Sequence, residues 1–542
     1  MDIVKSQNTR YKIVDLILSA IIIMVLFAPW VYSNLIVHPL FYQNYDPEIP
    51  YFMNSLLAFK GQTYDFVDHP GTPLEIIGSI ILAFTRPFIS GGMKDFIYYH
   101  LQNPNLFLSI SRLFLTSTSI GCALYMKRLL VASSHRLDDI LIKIALPLIF
   151  YVIHTESLET LILWSHNSFN FPFGTLLLLA FYRIASENDD LRLNNAVVMG
   201  LLSGILTSVM IYFSAWVIGI MIFIFAWFQI KKTAWRKTLL TLAAFGFSAV
   251  TGFMLMLMPA FKRIGFFFSS MNDLIFHQGV YVSGPEGIIN IPYMTSSLLN
   301  LDKGLPVLFA LSALLAVIFV SLMAWKRSSL EEDASFWALG IGILITMIVV
   351  IILVLKHPMD RYLLPLAAII PVFAMVIWRL LNYTLWLRRV FAWATIIFVF
   401  AEFPVTAVNF FESQYNGAQM VENIDQQNNQ IIGNYENLVN KKRNEAVILW
   451  TYESYSPCYS LWFGNEYAWS AFNNELSEIC PNQYSFTSWI DTADKGKKKK
   501  TPSNLDWDLI FTTNHIMLSK PYLDGYGAVM EYPYNVVVVY HK

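Results

Sequence analysis

Charged side chains are scarce in this chain: Asp, Glu, Lys and Arg make up 14% of its 542 residues, and 56% of the residues are hydrophobic. That composition excludes a wholly soluble protein of this length. The net charge is small as well, because 37 Lys and Arg nearly cancel 38 Asp and Glu. The charge balance therefore gives no reason to expect nucleic acid as a partner. Most of the chain is predicted to lie in a lipid bilayer.

Cysteine is also rare, with three in the whole chain. Cys122 lies in an apolar stretch, whereas Cys458 and Cys480 share the hydrophilic tail. A disulfide between these two is one interpretation if the tail faces an oxidising compartment, and two unpaired thiols are the other. A signal-peptide cleavage site is lacking, because no small-residue motif follows the long apolar run near the N-terminus. This run is therefore expected to be a retained first span.

Eleven apolar stretches approach the length of about 17 to 25 residues that a helix needs to cross a bilayer. They lie near residues 13–35, 106–126, 140–162, 171–185, 196–211, 214–230, 238–259, 305–325, 335–355, 362–381 and 390–408. With a cytoplasmic N-terminus, basic residues fall in every inner loop, as the positive-inside rule requires. This arrangement predicts three outer segments: residues 36–105, residues 260–304 and the tail from about 409.

One apolar segment, Thr72–Phe88, makes the predicted topology ambiguous because it carries Glu75 and Arg86. If it crossed the membrane, every later loop would change sides. We therefore expect it to lie along the outer face as a juxtamembrane helix.

The composition changes near residue 411, where Asn, Gln and Tyr become frequent. Three apolar runs in the tail, EAVILWTY, WDLIFTT and NVVVVYHK, are typical of short buried strands. The sequence therefore predicts an α-helical polytopic membrane protein with about eleven transmembrane helices, over residues 1–410. A small C-terminal extracytoplasmic α/β domain is expected over residues 411–542.

The compartment is indicated by N-glycosylation triplets, which are common on chains exposed to an endoplasmic reticulum lumen. The one triplet in this chain, at residues 382–384, falls on the predicted inner side, and the Asn-rich tail has none. This pattern favours a bacterial inner membrane, with the C-terminal domain in the periplasm.

Two carboxylates, Asp46 and Glu48, follow the first span and precede an amphipathic stretch over residues 49–59. They are expected where water meets lipid. Asp46 can cap a helix that begins at Pro47, with Glu48 stabilised in its first turn. A carboxylate held at a helix start is also well placed to accept a proton, so both interpretations stand.

A second cluster, Asp68 and His69, precedes a Pro-Gly turn in the same outer segment and is predicted to line a site. Two ligand types alone do not make a metal site, so no metal is assigned to them.

Cationic groups gather at the outer ends of two predicted spans. Lys356, His357 and Arg361 lie in KHPMDRYLLPL, and Lys262 and Arg263 lie in FKRIGFFFSS. The simple explanation is snorkelling of long basic side chains to the lipid headgroups. The alternative is binding of an anion such as a lipid phosphate, for which Arg offers a forked set of donors.

These features together resemble the GT-C superfamily of glycosyltransferases, within it the protein O-mannosyltransferase and lipid A aminoarabinose transferase branch. The similarity covers the layout of residues 13–410. Its motifs are an acidic first outer loop with Asp46 and Glu48, an SRL entry to the second span at residues 111–113, and RYLLP at residues 361–365.

The resemblance implies a sugar donor carried on a polyprenyl phosphate and an acceptor hydroxyl on a glycolipid, glycan or protein. Asp46 would take the acceptor proton, and Arg361 would stabilise the departing lipid phosphate. His357, Lys262 and Arg263 would be further donor-phosphate residues. A single displacement of this kind inverts the anomeric centre, and the transferred unit would be a hexosyl or pentosyl group.

This chain departs from the family pattern in two places. Pro47 separates the two carboxylates, which are often adjacent in relatives, so either Asp46 or Glu48 could be the base. Asn167 and Asn170 stand at a tip where relatives often have an acidic residue, which weakens the expectation of a metal. No cofactor is predicted, and a divalent cation is left as an alternative.

Other functional classes also suit a polytopic protein with polar residues in its spans. A transporter or flippase could use Glu156, Glu159 and His166 along a substrate path. A ligase or polymerase of lipid-linked oligosaccharides and a lipid-binding scaffold are further alternatives.

Overall fold

The computed structural model describes most of the chain and is predominantly helical. The described residues are 2–63, 71–130, 137–187, 191–276, 285, 287, 289–326, 331–356, 358–439, 447–451, 455–486, 509–512, 526–532 and 536–541.

The first half of the chain, to residue 257, is built almost entirely of helices. These are α1 (Asp2–Val31), α2 (Tyr45–Phe59), α3 (Thr72–Thr85), α4 (Met93–Gln102), α5 (Pro104–Leu129), α6 (Leu137–Val152), α7 (Thr155–Glu159), α8 (Leu176–Ser186), α9 (Leu193–Thr207), α10 (Ser214–Ile230) and α11 (Trp235–Leu257).

Eight further helices follow, together with five short strands. The helices are α12 (Ile264–Phe276), α13 (Ile291–Gly304), α14 (Pro306–Trp325), α15 (Ala334–Val354), α16 (Leu364–Leu380), α17 (Leu385–Val439), α18 (Pro457–Glu466) and α19 (Asn473–Ile479). The strands are β1 (Ile448–Thr451), β2 (Gln483–Phe486), β3 (Leu509–Thr512), β4 (Tyr526–Tyr532) and β5 (Val536–His541).

Nine helical segments in the described part of the chain are long and apolar enough to cross a membrane. They are Ile13–Val37, Pro104–Leu129, His166–Ser186, Ile211–Ile230, Trp235–Asp273, Pro306–Trp325, Ala334–Val354, Asp360–Leu380 and Leu385–Asn434. Each overlaps one of the eleven predicted spans. The protein is therefore a helical, polytopic membrane protein.

The two other predicted spans correspond to shorter helices, α6 with 16 residues and α9 with 15. At 1.5 Å per residue, each is about 23 Å long, which is less than the hydrocarbon thickness of about 30 Å. Helix α9 packs closely on α11 through small residues. A side chain at Gly204 would overlap the backbone of Ala249, and one at Gly252 would overlap the backbone of Leu201. Close approach through small residues is a common way for membrane helices to associate.

The ambiguous segment forms α3 and a short 3₁₀ turn, followed by a bend of 108° into α4. Helix α3 packs against α2 and α5, and its buried positions include Leu74, Ile81 and Leu82. The opposite side carries exposed Ile80 and Phe84. The helix is thus apolar on both faces, and its predicted position along the membrane stays a prediction.

Helix α17 continues far beyond its apolar part. It has 55 residues, so it is about 80 Å long, and the composition change near residue 411 falls inside it. The five strands after it form one sheet in the order β2-β1-β3-β5-β4. Strands β1, β2 and β3 are parallel, and β5 runs antiparallel to β3 and β4. Three of these strands, β1, β3 and β5, lie within the three apolar runs that were predicted to form strands in the tail.

Candidate active site

A cavity of about 280 Å³ collects polar side chains from four parts of the chain. These are the start of α2, the region from α7 to the turn after it, the 3₁₀ turn before α16, and the segment after α18. The lining residues are Asn44, Asp46, Pro47, Glu156, Glu159, Thr160, Leu163, Ser165, His166, Asn167, Ser168, Arg361, Leu364 and Tyr467.

Asp46 lies at the cavity from the beginning of α2. Its backbone is extended (φ −107°, ψ 117°), and Pro47 follows it at the point where regular helix starts. The carboxylate belongs to an exposed residue, so it can meet a ligand without unfolding the helix. Asp46 therefore lies at a helix start and in the cavity lining, and its role as proton acceptor stays a prediction.

Glu48 occupies a different environment, although only one residue separates it from Asp46. Its side chain is fully buried, and it does not line the cavity in the described structure. Arg112 donates to both carboxylate oxygens, from Nε at 3.1 Å and from Nη2 at 2.6 Å. The backbone N–H of Trp164 donates to Oε1 at 2.7 Å. Glu48 therefore holds α2, α5 and the Trp164 segment together.

The segment from Thr160 to Asn170 is positioned by these neighbours. Besides the Trp164 contact, the hydroxyl of Thr116 donates to the carbonyl of Leu161 at 2.8 Å. The Tyr51 hydroxyl lies 2.9 Å from Nδ1 of His166, at the cavity wall. The buried Oδ1 of Asn167 has no hydrogen-bond partner among the described residues. This amide oxygen is thus available to a ligand in the cavity.

Two carboxylates in the cavity, Glu156 and Glu159, were assigned by sequence reasoning only to a transporter path. They were expected inside a span over residues 140–162, but α6 ends at Val152 and both lie on the separate short helix α7, outside the nine candidate spans. Their spacing of three residues, just after a long apolar run, is the signal that could have identified them.

The acidity of this pair is weakened by its surroundings. The pKa of Glu156 is raised to about 7, mainly by burial and then by the neighbouring charges of Glu159 and Asp360, against the opposing effect of Arg361. Burial also raises the pKa of Glu159. Near neutral pH, Glu156 is therefore partly protonated and can act as a hydrogen-bond donor.

Arg361 brings a positive charge to the same cavity from the turn before α16. Its guanidinium lies 5.4 Å from the ring centre of Tyr362, which in turn packs against Tyr212. Among the described residues, no carboxylate lies within ion-pair distance of Arg361. The guanidinium is therefore available to an anion.

Two other predicted donor-side cations, Lys262 and Arg263, do not line this cavity. Lys262 is exposed outside the lining, and Arg263 stacks between Phe266 and Trp469 at 4.5 and 4.7 Å. Asp68, His69 and His357 lie outside the described residues, so their placement is not assigned.

Neither the comparison with protein-family models nor the comparison with curated proteins finds a match for this chain. What the site can do therefore has to be argued from its own residues. Within the described part of the chain, no group of three or more His, Cys, Asp or Glu residues could hold a metal ion. The chemistry available in the cavity includes a carboxylate, a weakly acidic carboxyl pair, an arginine, the imidazole of His166 and the amide of Asn167.

The C-terminal segment contributes to the cavity through Tyr467. The amide of Asn54 donates to the Tyr467 carbonyl at 2.8 Å, which ties this segment to α2. Cys458 at the start of α18 and Cys480 after α19 form a disulfide, so the first of the two open interpretations of these cysteines describes the structure. The tail thus forms one side of the site.

The raised pKa of Glu156 predicts a dependence of stability on pH. The folded-state pKa of about 7 exceeds the ordinary value of 4.5, so protonated Glu156 stabilises the folded protein. Its contribution to the free energy of unfolding is fully present below pH 4.5 and is lost as pH rises through about 7. Glu156→Gln should reduce the change in the free energy of unfolding between pH 4.5 and pH 7 by about 1 to 2 kcal/mol, after allowance for the partial exposure of Glu156. The measurement is the apparent melting temperature of the purified protein between these pH values.

The matched control for Glu156→Gln is Glu412→Gln, at an exposed position on α17 outside the cavity. This control should leave the pH profile of the wild type unchanged. An unaltered profile in the Glu156 variant would mean that its carboxyl group is ionised in the folded protein.

Proposed function

We propose that this protein is a membrane glycosyltransferase. It moves a sugar from a polyprenyl-phosphate donor to an acceptor hydroxyl at the extracytoplasmic face, with inversion at the anomeric carbon. The observation that carries the proposal is that Asp46 and Arg361, assigned from sequence as base and phosphate ligand, line the same cavity although 315 positions separate them.

The chemistry of the proposal needs one base and one positive charge on opposite sides of the reacting carbon. Asp46 accepts the proton of the acceptor hydroxyl as its oxygen attacks the anomeric carbon. The bond from that carbon to the phosphate oxygen breaks, and the polyprenyl phosphate leaves as an anion. Arg361 stabilises the negative charge that develops on it. The proton ends on Asp46, so atoms and charges balance.

Glu156 influences how strongly Arg361 attracts an anion. An ionised Glu156 would offset the positive charge of the guanidinium, but its raised pKa keeps a fraction of the carboxyl neutral near pH 7. A neutral Glu156 can also donate a hydrogen bond to a phosphate or sugar oxygen. The raised pKa of Glu156 therefore lessens its repulsion of an anionic donor.

The topology belongs to the same proposal: eleven crossings, a cytoplasmic N-terminus and an extracytoplasmic α/β tail, in a bacterial inner membrane. The disulfide between Cys458 and Cys480 supports an oxidising compartment for the tail. Tyr467 and Asp46 line one cavity, which supports the first outer loop and the tail lying on the same side.

The transporter alternative is less well supported than transfer. The polar groups that would form its path, Glu156, Glu159 and His166, gather at a cavity near the ends of α6 and α16. Transport sites built in this way usually lie near the middle of the membrane.

The direct test of the proposal uses the full-length protein in sealed vesicles, with a polyprenyl phosphate carrying a labelled hexose or pentose. Cell-envelope material from cells that lack the protein serves as acceptor. We expect the label to move from the lipid into a new glycosidic bond, identified by mass spectrometry. Labelled lipid that crosses the bilayer unchanged would instead indicate a flippase, and transfer of whole oligosaccharides would indicate a ligase.

Replacing Arg361 by Gln should lower the use of the donor. Loss of one charge-assisted hydrogen bond to phosphate corresponds to about a tenfold to 100-fold decrease in kcat/KM for the donor. The matched control is Lys262→Gln, which removes an exposed charge that does not line the cavity. Equal effects of the two substitutions would mean that general positive charge, rather than Arg361, attracts the donor.

A further inference from the structure

A second cavity of about 490 Å³ lies at the other end of α16. Leu364, in the first turn of α16, lines the candidate active site, whereas Trp378 and Arg379, near its last residue, line this second cavity. Fourteen residues at 1.5 Å each separate Leu364 from Trp378 by about 20 Å along the helix. The two cavities are therefore separate, on opposite sides of the helical bundle.

Four arginines from four different helices converge on the second cavity. Arg128 comes from the end of α5, Arg183 from α8, Arg379 from α16 and Arg388 from the start of α17. The loops near these positions belong to the predicted cytoplasmic side, where basic residues are expected in general. Their convergence on one cavity, however, does not follow from that rule.

Only part of this positive charge is balanced by neighbouring groups. Arg183 pairs with Glu187 at 2.8 Å, and the buried Arg388 pairs with Asp139 at 3.2 Å. Among the described residues, no carboxylate lies within ion-pair distance of Arg128 or Arg379. Two guanidinium charges therefore face the cavity without an acidic partner in the described structure.

The aromatic walls hold two of the guanidinium groups, those of Arg379 and Arg388, in defined places. The Arg388 guanidinium lies 4.1 Å from the ring centre of Trp378, and Nη1 donates to Oδ1 of Asn382 at 2.5 Å. Arg379 lies 5.5 Å from the ring centre of Phe336. Stacking on aromatic faces orients the planar fork and leaves its N–H groups directed away from the ring. An oriented fork of this kind matches the oxygens of a phosphate.

We propose that this second cavity binds a phosphate group, carried either by an anionic lipid headgroup or by a free phosphate. Basic pockets between helices on the cytoplasmic side of membrane proteins are suited to lipid headgroups. Phosphate oxygens would accept hydrogen bonds from Arg128 and Arg379, and the aromatic walls would contact the adjoining apolar part of the ligand. This binding is independent of the proposed transfer reaction.

The test is a binding measurement on the full-length protein in neutral detergent with three probes: short-chain phosphatidic acid, diacylglycerol of the same chain length, and inorganic phosphate. The double variant Arg128→Gln/Arg379→Gln should weaken binding of phosphatidic acid about 100-fold, or about tenfold for each arginine. Both positions are exposed, so the fold should tolerate the change. Arg128→Lys/Arg379→Lys, which keeps the charge but loses the fork, should bind with intermediate affinity.

The matched control is Arg236→Gln/Arg389→Gln, which removes the same charge from exposed positions outside the cavity. This control should bind phosphatidic acid like the wild type. Inorganic phosphate that binds with the same arginine dependence would identify free phosphate as a ligand, and binding of phosphatidic acid alone would identify the headgroup. Equal loss in both double variants, or equal binding of the phosphate-free diacylglycerol, would overturn the proposal.

Discussion

Replacing Asp46 by Asn should reduce sugar transfer about 100-fold or more, because a positioned general base contributes about 10² to 10⁴ to a rate. Asn keeps the size of the side chain but cannot accept the acceptor proton at neutral pH. The loss should appear in kcat, with little change in the KM for the polyprenyl-phosphate donor. The measurement is steady-state transfer of a labelled sugar by the purified variant.

The effect should be separable from damage to the fold. Asp46 is exposed, so the Asn variant should insert in the membrane and melt like the wild type. Asp302→Asn is the matched control, because Asp302 is exposed on α13 and does not line the cavity. It should transfer sugar at the normal rate. Normal transfer by the Asp46 variant would rule out this residue as the base and would leave Glu156 and Glu159 as the carboxylates in the cavity.

The sequence alone could select Asp46 and Glu48 as candidates but could not separate their positions, since only Asp46 lines the cavity. Both follow the first span, and both suit the start of a helix. The distinction depends on Arg112, which is 64 positions away from Glu48 and neutralises it in the interior. Arg112 belonged to a recognised motif, but the partner of a buried charge is decided by tertiary packing, which a single sequence does not contain.

Glu156 and Glu159 show a second limit of sequence reasoning. The hydropathy pattern placed both residues in the same span as the preceding apolar run. A sequence window long enough to detect a span averages over a short break in the helix. The chain breaks the helix after Val152, and His154 caps α7 by accepting from the N–H of Glu156 at 3.3 Å. This local break carries both carboxylates out of the span and into the cavity.

The cationic residues illustrate which placements can be predicted and which cannot. Charge and span length predict that Lys262, Arg263 and Arg361 lie on one side of the membrane, and this sidedness stays a prediction. Only Arg361 reaches the cavity, because the turn that contains it begins the most deeply buried candidate span. Arg263 is instead held between two aromatic rings. Charge patterns bear only on the side of the membrane, whereas the position of a residue around the bundle depends on helix packing.

Removing the carboxylate of Glu48 should destabilise the protein by about 3 to 5 kcal/mol, the usual effect of breaking a buried ion pair. Glu48→Ala would leave the buried Arg112 without its bidentate partner and the N–H of Trp164 without its acceptor. We expect a large decrease in the apparent melting temperature and a lower yield of folded protein in detergent.

The matched control for Glu48→Ala is Lys94→Ala, which breaks an exposed ion pair to Glu478 and should cost less than about 1 kcal/mol. The double variant Glu48→Leu/Arg112→Met should recover much of the stability, because apolar residues of similar size often replace a buried ion pair without loss. If this double variant folds and transfers sugar again, Glu48 has a positioning role. It would then act through the Trp164 segment on the cavity that Asp46 lines. A stable Glu48→Ala protein that fails to transfer sugar would instead make Glu48 a reacting group.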